Sequence, residues 1–153
     1  MSNYEQYALA FKHHYDELLI SCDALEQEGL WPTEELGEMD MYFANDISCV
    51  LVKLIAADGK FDEQEVSFMN EALGFHYTPG ELEEVYEECW ERLPDLFTET
   101  VPESIRTLYD LNPSLADTYR EMLKALCKFV TACDGEVRFS EKVLINELMD
   151  VLK

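Results

Sequence analysis

Ile55-Ala56-Ala57-Asp58-Gly59-Lys60-Phe61-Asp62-Glu63-Gln64-Glu65 is the stretch on which the fold turns: an apolar helical run ends in Asp-Gly, and a Glu follows six residues after the Gly. The same pattern returns 76 residues later as Thr131-Ala132-Cys133-Asp134-Gly135-Glu136-Val137 with Glu141. Sliding Ser48 through Leu73 onto Lys124 through Met149 needs no gap. It pairs Ala56 with Ala132, Asp58 with Asp134, Gly59 with Gly135, Glu65 with Glu141, Asn70 with Asn146 and Glu71 with Glu147. A repeat kept only for packing would repeat its apolar positions first, so matched polar residues at the bend point to a turn with a task of its own.

Upstream of the first turn, Phe43, Ile47, Val50, Leu51, Leu54 and Ile55 step by threes and fours, which predicts a helix from Met41 to Ala57 with those residues inward. Before it, Tyr4, Tyr7, Phe11, Tyr15, Leu18, Cys22 and Leu25 predict a first helix over residues 4–28, ended by Gly29 through Pro32. Downstream, a third helix runs from Glu63 to Leu73 and stops at Gly74. Thr78-Pro79-Gly80-Glu81 is a capping box with proline at the first helical position; the expected core stripe of the helix it opens is Leu82, Val85, Tyr86, Cys89, Trp90 and Leu93. Thr100-Val101-Pro102-Glu103 repeats the cap pattern for a short fifth helix around Ile105, Leu108 and Tyr109. Asn112-Pro113 opens a sixth that reaches Cys133, and the second Asp-Gly turn introduces a seventh through Leu144 and Leu148 to Leu152. No segment alternates apolar and polar residues as a strand does. The expectation is one all-α domain over residues 1–153, about seven helices in two pseudo-repeated halves, about 1–76 and 77–153.

At 153 residues such a domain buries roughly 70% of its unfolded surface and needs no disulfide staples. The five cysteines (Cys22, Cys49, Cys89, Cys127 and Cys133) are odd in number and form no CxxC pair, so they are expected as reduced, buried thiols in a cytosol-like compartment. The N-terminal residues lack the basic-then-apolar pattern of a signal peptide, and no apolar run approaches the ~20 residues of a membrane span. Together these predict a soluble, cytoplasmic protein. The formal charge is −22, from 33 acidic and 11 basic residues, and thirteen of the acids fall between Asp62 and Glu103 against the single Arg92. That field repels nucleic-acid phosphates and anionic lipid, and leaves metal cations or a basic protein as candidate partners.

Counted back from Glu65, the first turn fits the second half of an EF-hand loop, with Asp58, Gly59, the Lys60 carbonyl, Asp62 and Glu65 at the positions that bind a hard cation through oxygen. The first half is missing, since Leu54 and Ala56, and Val130 and Ala132 in the second copy, replace acidic ligands. A purely structural account competes. Gly59 would end one helix, Phe61 and Val66 would staple the next, Asp62 would cap it and Glu65 would close a capping box. Asp58 alone is left over, at a helix C-terminus that disfavours a carboxylate. In the second copy Arg138 stands where Asp62 does in the first.

A helix ending in Ala-x-Asp-Gly, then an apolar residue and a Glu opening the next helix, resembles the tellurite-resistance TerB-like domain family, which also includes the N-terminal domain of a membrane-anchored DnaJ-type co-chaperone. Residues 55–65 carry the closer match, residues 131–141 the weaker one. The resemblance implies a TerB-like helical bundle with acidic residues suspected of binding metal, working in stress response or phage defence, often beside an ATPase. By position the metal ligands would be Asp58, Asp62, Glu65, Asp134 and Glu141, and the cofactor a divalent cation: Ca²⁺ first, Mg²⁺ or Zn²⁺ as alternatives.

No GxSxG, P-loop, HExxH or dinucleotide fingerprint occurs. His13 and His14 point about 100° apart on the first helix and are expected at the surface or its boundary; His76, in the loop before the fourth near an acidic stretch, is a candidate for titration near neutrality or metal ligation, though a loop histidine with no partner spacing more often does neither. Glutamates 83/87, 84/88 and 87/91 place like charges four residues apart, a cost that a basic partner would relieve. The leading expectation is a non-enzymatic acidic interaction or sensing module, whose turns would relay cation occupancy to the angle between flanking helices. The alternatives are a small metal-dependent hydrolase, which needs a pocket uniting Asp58 or Asp134 with a histidine, and a structural partner subunit, which needs an apolar patch on the first helix.

Overall fold

The computed structural model describes residues 4–55, 61–132 and 142–152. The described chain is all-helical. Its α-helices are α1 Tyr4–Gln27, α2 Thr33–Leu36, α3 Met39–Ile55, α4 Glu63–Leu73, α5 Pro79–Cys89, α6 Val101–Leu111, α7 Pro113–Ala132 and α8 Lys142–Val151. The second of these is a single turn that apolar periodicity does not reveal. It is held by Trp31, which is buried and donates from Nε1 to the Gly37 carbonyl at 3.0 Å.

The long helix α7 is the centre. Ten of its residues are buried, among them Tyr119, Met122, Leu123, Leu126 and Phe129, and they occupy most of its circumference. Its main partner is α1, with α6 and α8 on other sides; α3 and α4 pack on α1, and α5 lies on α3. The inward residues expected of α3 are all buried. In α1 the expected stripe holds at Phe11, Leu18, Cys22 and Leu25, while Tyr4, Tyr7 and Tyr15 are half-buried.

Helix ends follow local chemistry. Asp62 caps α4, its Oδ1 accepting the main-chain N–H of Gln64 at 2.8 Å and of Glu65 at 3.3 Å. Gly74, at φ 78°, takes the left-handed conformation that closes the same helix. Asn70 then clamps the following loop, donating from Nδ2 to the Tyr77 carbonyl at 2.7 Å and accepting the Tyr77 N–H at 3.1 Å. Asn70 thus serves as a backbone clamp. At α5, Thr78 and Glu81 form the expected reciprocal capping box.

Three expectations fail. Thr100 makes no side-chain cap, because the chain reaches α6 through a 3₁₀ turn at Leu93–Asp95 and a wide π turn at Leu96–Thr100, so Thr100 is already helical. Trp90 does not join the core stripe: α5 ends at Cys89, the chain changes direction, and the indole is left 60% exposed. The cysteines are not all free thiols, since Cys49 and Cys89 are joined by a disulfide linking α3 to α5. Their inward positions on two packed helices bring them together, which spacing in the sequence does not disclose. Cys22 and Cys127 are buried free thiols, each pushed up to about 12 chiefly by burial.

Candidate functional site

Charge is distributed unevenly along the chain. Residues 1–112 hold 26 acids and 5 bases, whereas residues 113–153 hold 7 acids and 6 bases. The acidic field reaches its densest exposed form on α5. Only Leu82 and Cys89 of this helix are buried; Val85 and Tyr86 are half-buried. Glu83, Glu84, Glu87, Glu88 and the following Glu91 are all exposed, and none has an ion-pair partner among the described residues. Glu87 and Glu88 in the last turn, with Glu91 just beyond it, also sit at the negative end of the helix dipole, and no basic residue in that turn offsets them. Arg92, the nearest guanidinium in sequence, is exposed but engages the disulfide, with Nη2 3.2 Å from Cys49 Sγ and 3.5 Å from Cys89 Sγ. Beside the glutamates, the Tyr86 and Trp90 rings lie 5.6 Å apart. The combination offers carboxylates and an exposed π face to one approaching cation-rich segment.

Of the metal ligands expected from the turns, Asp58, Asp134 and Glu141 lie outside the described residues. Asp62 and Glu65 lie on the first turn of α4, where Asp62 performs the capping role described above. Glu65 is half-buried. Sequence reasoning did not find a different carboxylate group: Asp23 and Glu26 at the end of α1 and Asp40 at the start of α3 have oxygens within 4.8 Å of one another. Two of the three already serve the backbone, Glu26 accepting the Met39 N–H and Asp40 the Met41 N–H. The first two are three residues apart on one helix face, but only the tertiary fold brings in Asp40.

His13 is exposed, whereas His14 is half-buried and its Nδ1 is shut off from solvent with no hydrogen bond among the described residues. His13 Nε2 lies 3.2 Å and His14 Nδ1 3.8 Å from the Glu17 carboxylate, so both rings share one acid on α1. His76 is exposed. The exposed apolar side chains of α1, Leu9 at 65% and Ile20 at 70%, are eleven residues apart with His13 and Asp16 between them on that face; they do not merge into one patch.

One buried polar cluster also escaped the sequence reading. Asp46 on α3 is 6% exposed and accepts a hydrogen bond from Ser104 Oγ on α6 at 2.7 Å. Burial raises its carboxyl above the usual range, opposed by that hydrogen bond and by Arg92. Tyr119 of α7 is wholly buried, its hydroxyl has no hydrogen-bond partner of ordinary geometry among the described residues, and burial raises its pKa, with the Asp46 charge adding to the effect and Ser104 opposing it. The signal was present in the periodicity: Asp46 sits three residues after Phe43 on the inner face of α3, and Ser104 lies between Val101 and Leu108 on that of α6.

Comparison with protein-family models, curated proteins and solved structures found no match to this chain. No helix among the described residues is long and apolar enough to cross a membrane.

Proposed function

We propose that this chain is a non-enzymatic, acidic helical interaction module of the TerB-like type, whose α5 face receives a basic segment of a protein partner. The observation that carries the reading is the row of five exposed, uncompensated glutamates with Trp90 beside them. Like charges four residues apart destabilise a helix by a few tenths of a kcal/mol per pair, so a Lys- or Arg-rich ligand relieves a strain that the free protein carries. Association would be fast and salt-sensitive, because the acidic field steers the encounter and screening weakens it.

Cation binding at the Asp-Gly turns, with Ca²⁺ the first candidate, belongs to the same reading and rests on the sequence of residues 55–65 and 131–141. So does the setting in stress response or phage defence beside an ATPase, which rests on the family resemblance. A cytoplasmic setting loses the support that five unpaired cysteines would have lent it, since Cys49 and Cys89 are joined.

The test is affinity capture from native cytosol with the full chain, comparing wild type with Glu84→Gln/Glu87→Gln/Glu88→Gln/Glu91→Gln. The expected result is a partner held at low salt, released at high salt and absent from the variant. A partner retained equally by the variant contradicts the reading.

A further inference from the structure

We propose that the groove formed by α1, α7 and α8 binds an amphipathic monoanion, namely a medium-chain carboxylate. Two hollows of about 280 and 320 Å³ adjoin along α7 and share Tyr7 and Lys128. In the first, α1 and α7 contribute Gln6, His14 and Lys124, with the acid Glu121 beside them. The second continues over Cys127, Ile145 and Met149. Cys127 and Ile145 are buried, and Met149 and Tyr7 are half-buried, so the floor is largely apolar.

The charge of the groove defines the head group. Lys124 and Lys128 are four residues apart on the same face of α7. Lys124 is matched by Glu121 at 3.4 Å, whereas Lys128 is exposed and has no ion-pair or hydrogen-bond partner among the described residues. The Gln6 amide and the Tyr7 hydroxyl likewise have none. One uncompensated positive charge with neutral donors beside it suits a single carboxylate, which accepts from all three. A doubly charged head would bring more negative charge than Lys128 offsets in a chain of net −22. A neutral molecule would gain nothing from the ammonium, which stays hydrated beside it. Distant acids act weakly here, since the screening length is about 8 Å at physiological ionic strength, while a contact between Lys128 and the head group is little screened. The adjoining apolar floor accounts for a hydrocarbon tail.

The site lies on a different face from α5, so it stands or falls separately from the partner reading. The experiment is calorimetric titration of the full-length protein with octanoate, with octanol and octylamine as controls of equal length. The expected result is a saturable octanoate site with Kd on the order of a millimolar or tighter. It should be weakened about tenfold or more by Lys128→Gln, retained by Lys128→Arg, and bind octanol about tenfold or more less tightly. Lys128 is exposed, so both variants should melt as wild type does. Absence of a saturable octanoate site, octanoate affinity unchanged in Lys128→Gln, or equal affinity for octanol or octylamine would each overturn the proposal.

Discussion

Helices α5 and α7 are opposite solutions to the same requirement. The latter is buried almost all round, meets α1, α6 and α8, and sits in a segment whose charges nearly balance. The former buries two residues, packs on α3, and carries a row of glutamates that repel one another. What holds α5 is local and covalent: the Thr78–Glu81 capping box at its start and the Cys49–Cys89 bond at its end. A helix secured at both ends can tolerate a surface that propensity and packing alone would penalise. The contrast places the burial that stabilises the fold in α7 and leaves α5 as the surface on which the proposed partner reading rests.

The largest effect should come from the centre. Phe129 is 1% exposed and stacks on Phe68 at 6.3 Å, so Phe129→Ala should cost about 3–5 kcal/mol in denaturant unfolding. Trp90→Ala should stay within about 0.5 kcal/mol, as surface changes do. Comparable losses would erase the distinction between the two helices. Next is the bond that pins α5. It closes a separation of 40 residues, so reduction, or Cys49→Ala with Cys89→Ala, should cost about 4 kcal/mol and speed hydrogen exchange in α5 before α7. Equal protection of α5 with and without the bond would show that packing on α3 suffices.

A smaller effect tests the buried cluster that links α3 and α6 beside α7. The carboxyl of Asp46 titrates above its usual range in the folded state, so its protonated form favours folding and that contribution is lost as pH rises through the raised value. Relative to Asp46→Asn, wild type should therefore lose stability as pH rises from below the ordinary carboxylate range to above the raised one. A difference independent of pH would show that Asp46 carries no such burden. The smallest effect lies on α5 itself. Glu87→Gln removes the 83/87 repulsion within the helix and should raise stability by about 0.3 kcal/mol at low salt, with the gain shrinking as salt is added.

The helices were legible in the sequence wherever an apolar period met a stop or a cap. Asp62, Gly74, Thr78 with Glu81, and Asn112-Pro113 each mark a boundary that the structure keeps. The two turns that feed α6 were illegible because Leu93 through Thr100 carry a proline, apolar residues and a false cap in an order that fits several local geometries. The disulfide was illegible because pairing depends on which faces of α3 and α5 meet, and the Asp23, Glu26 and Asp40 cluster for the same tertiary reason. The acid run of α5 was plain from the sequence, but its pairing with an exposed indole was not. Periodicity assigned Trp90 to the core, and only the end of the helix at Cys89 puts it outside. Asp58, Asp134 and Glu141 remain a statement of the sequence, since they lie outside the described residues.

The central claim is that α5 recognises basic chains through glutamate and indole together, and fluorescence titration with an arginine-rich peptide tests it most directly. Trp90 is the exposed tryptophan and Trp31 the buried one, so the difference between wild type and Trp90→Phe isolates the indole on α5. The account predicts saturable change in Trp90 emission at low salt, weakening steeply as ionic strength rises and lost when the four glutamates become glutamine. An emission unmoved by the peptide, or a response undiminished in the glutamine variant, would contradict it.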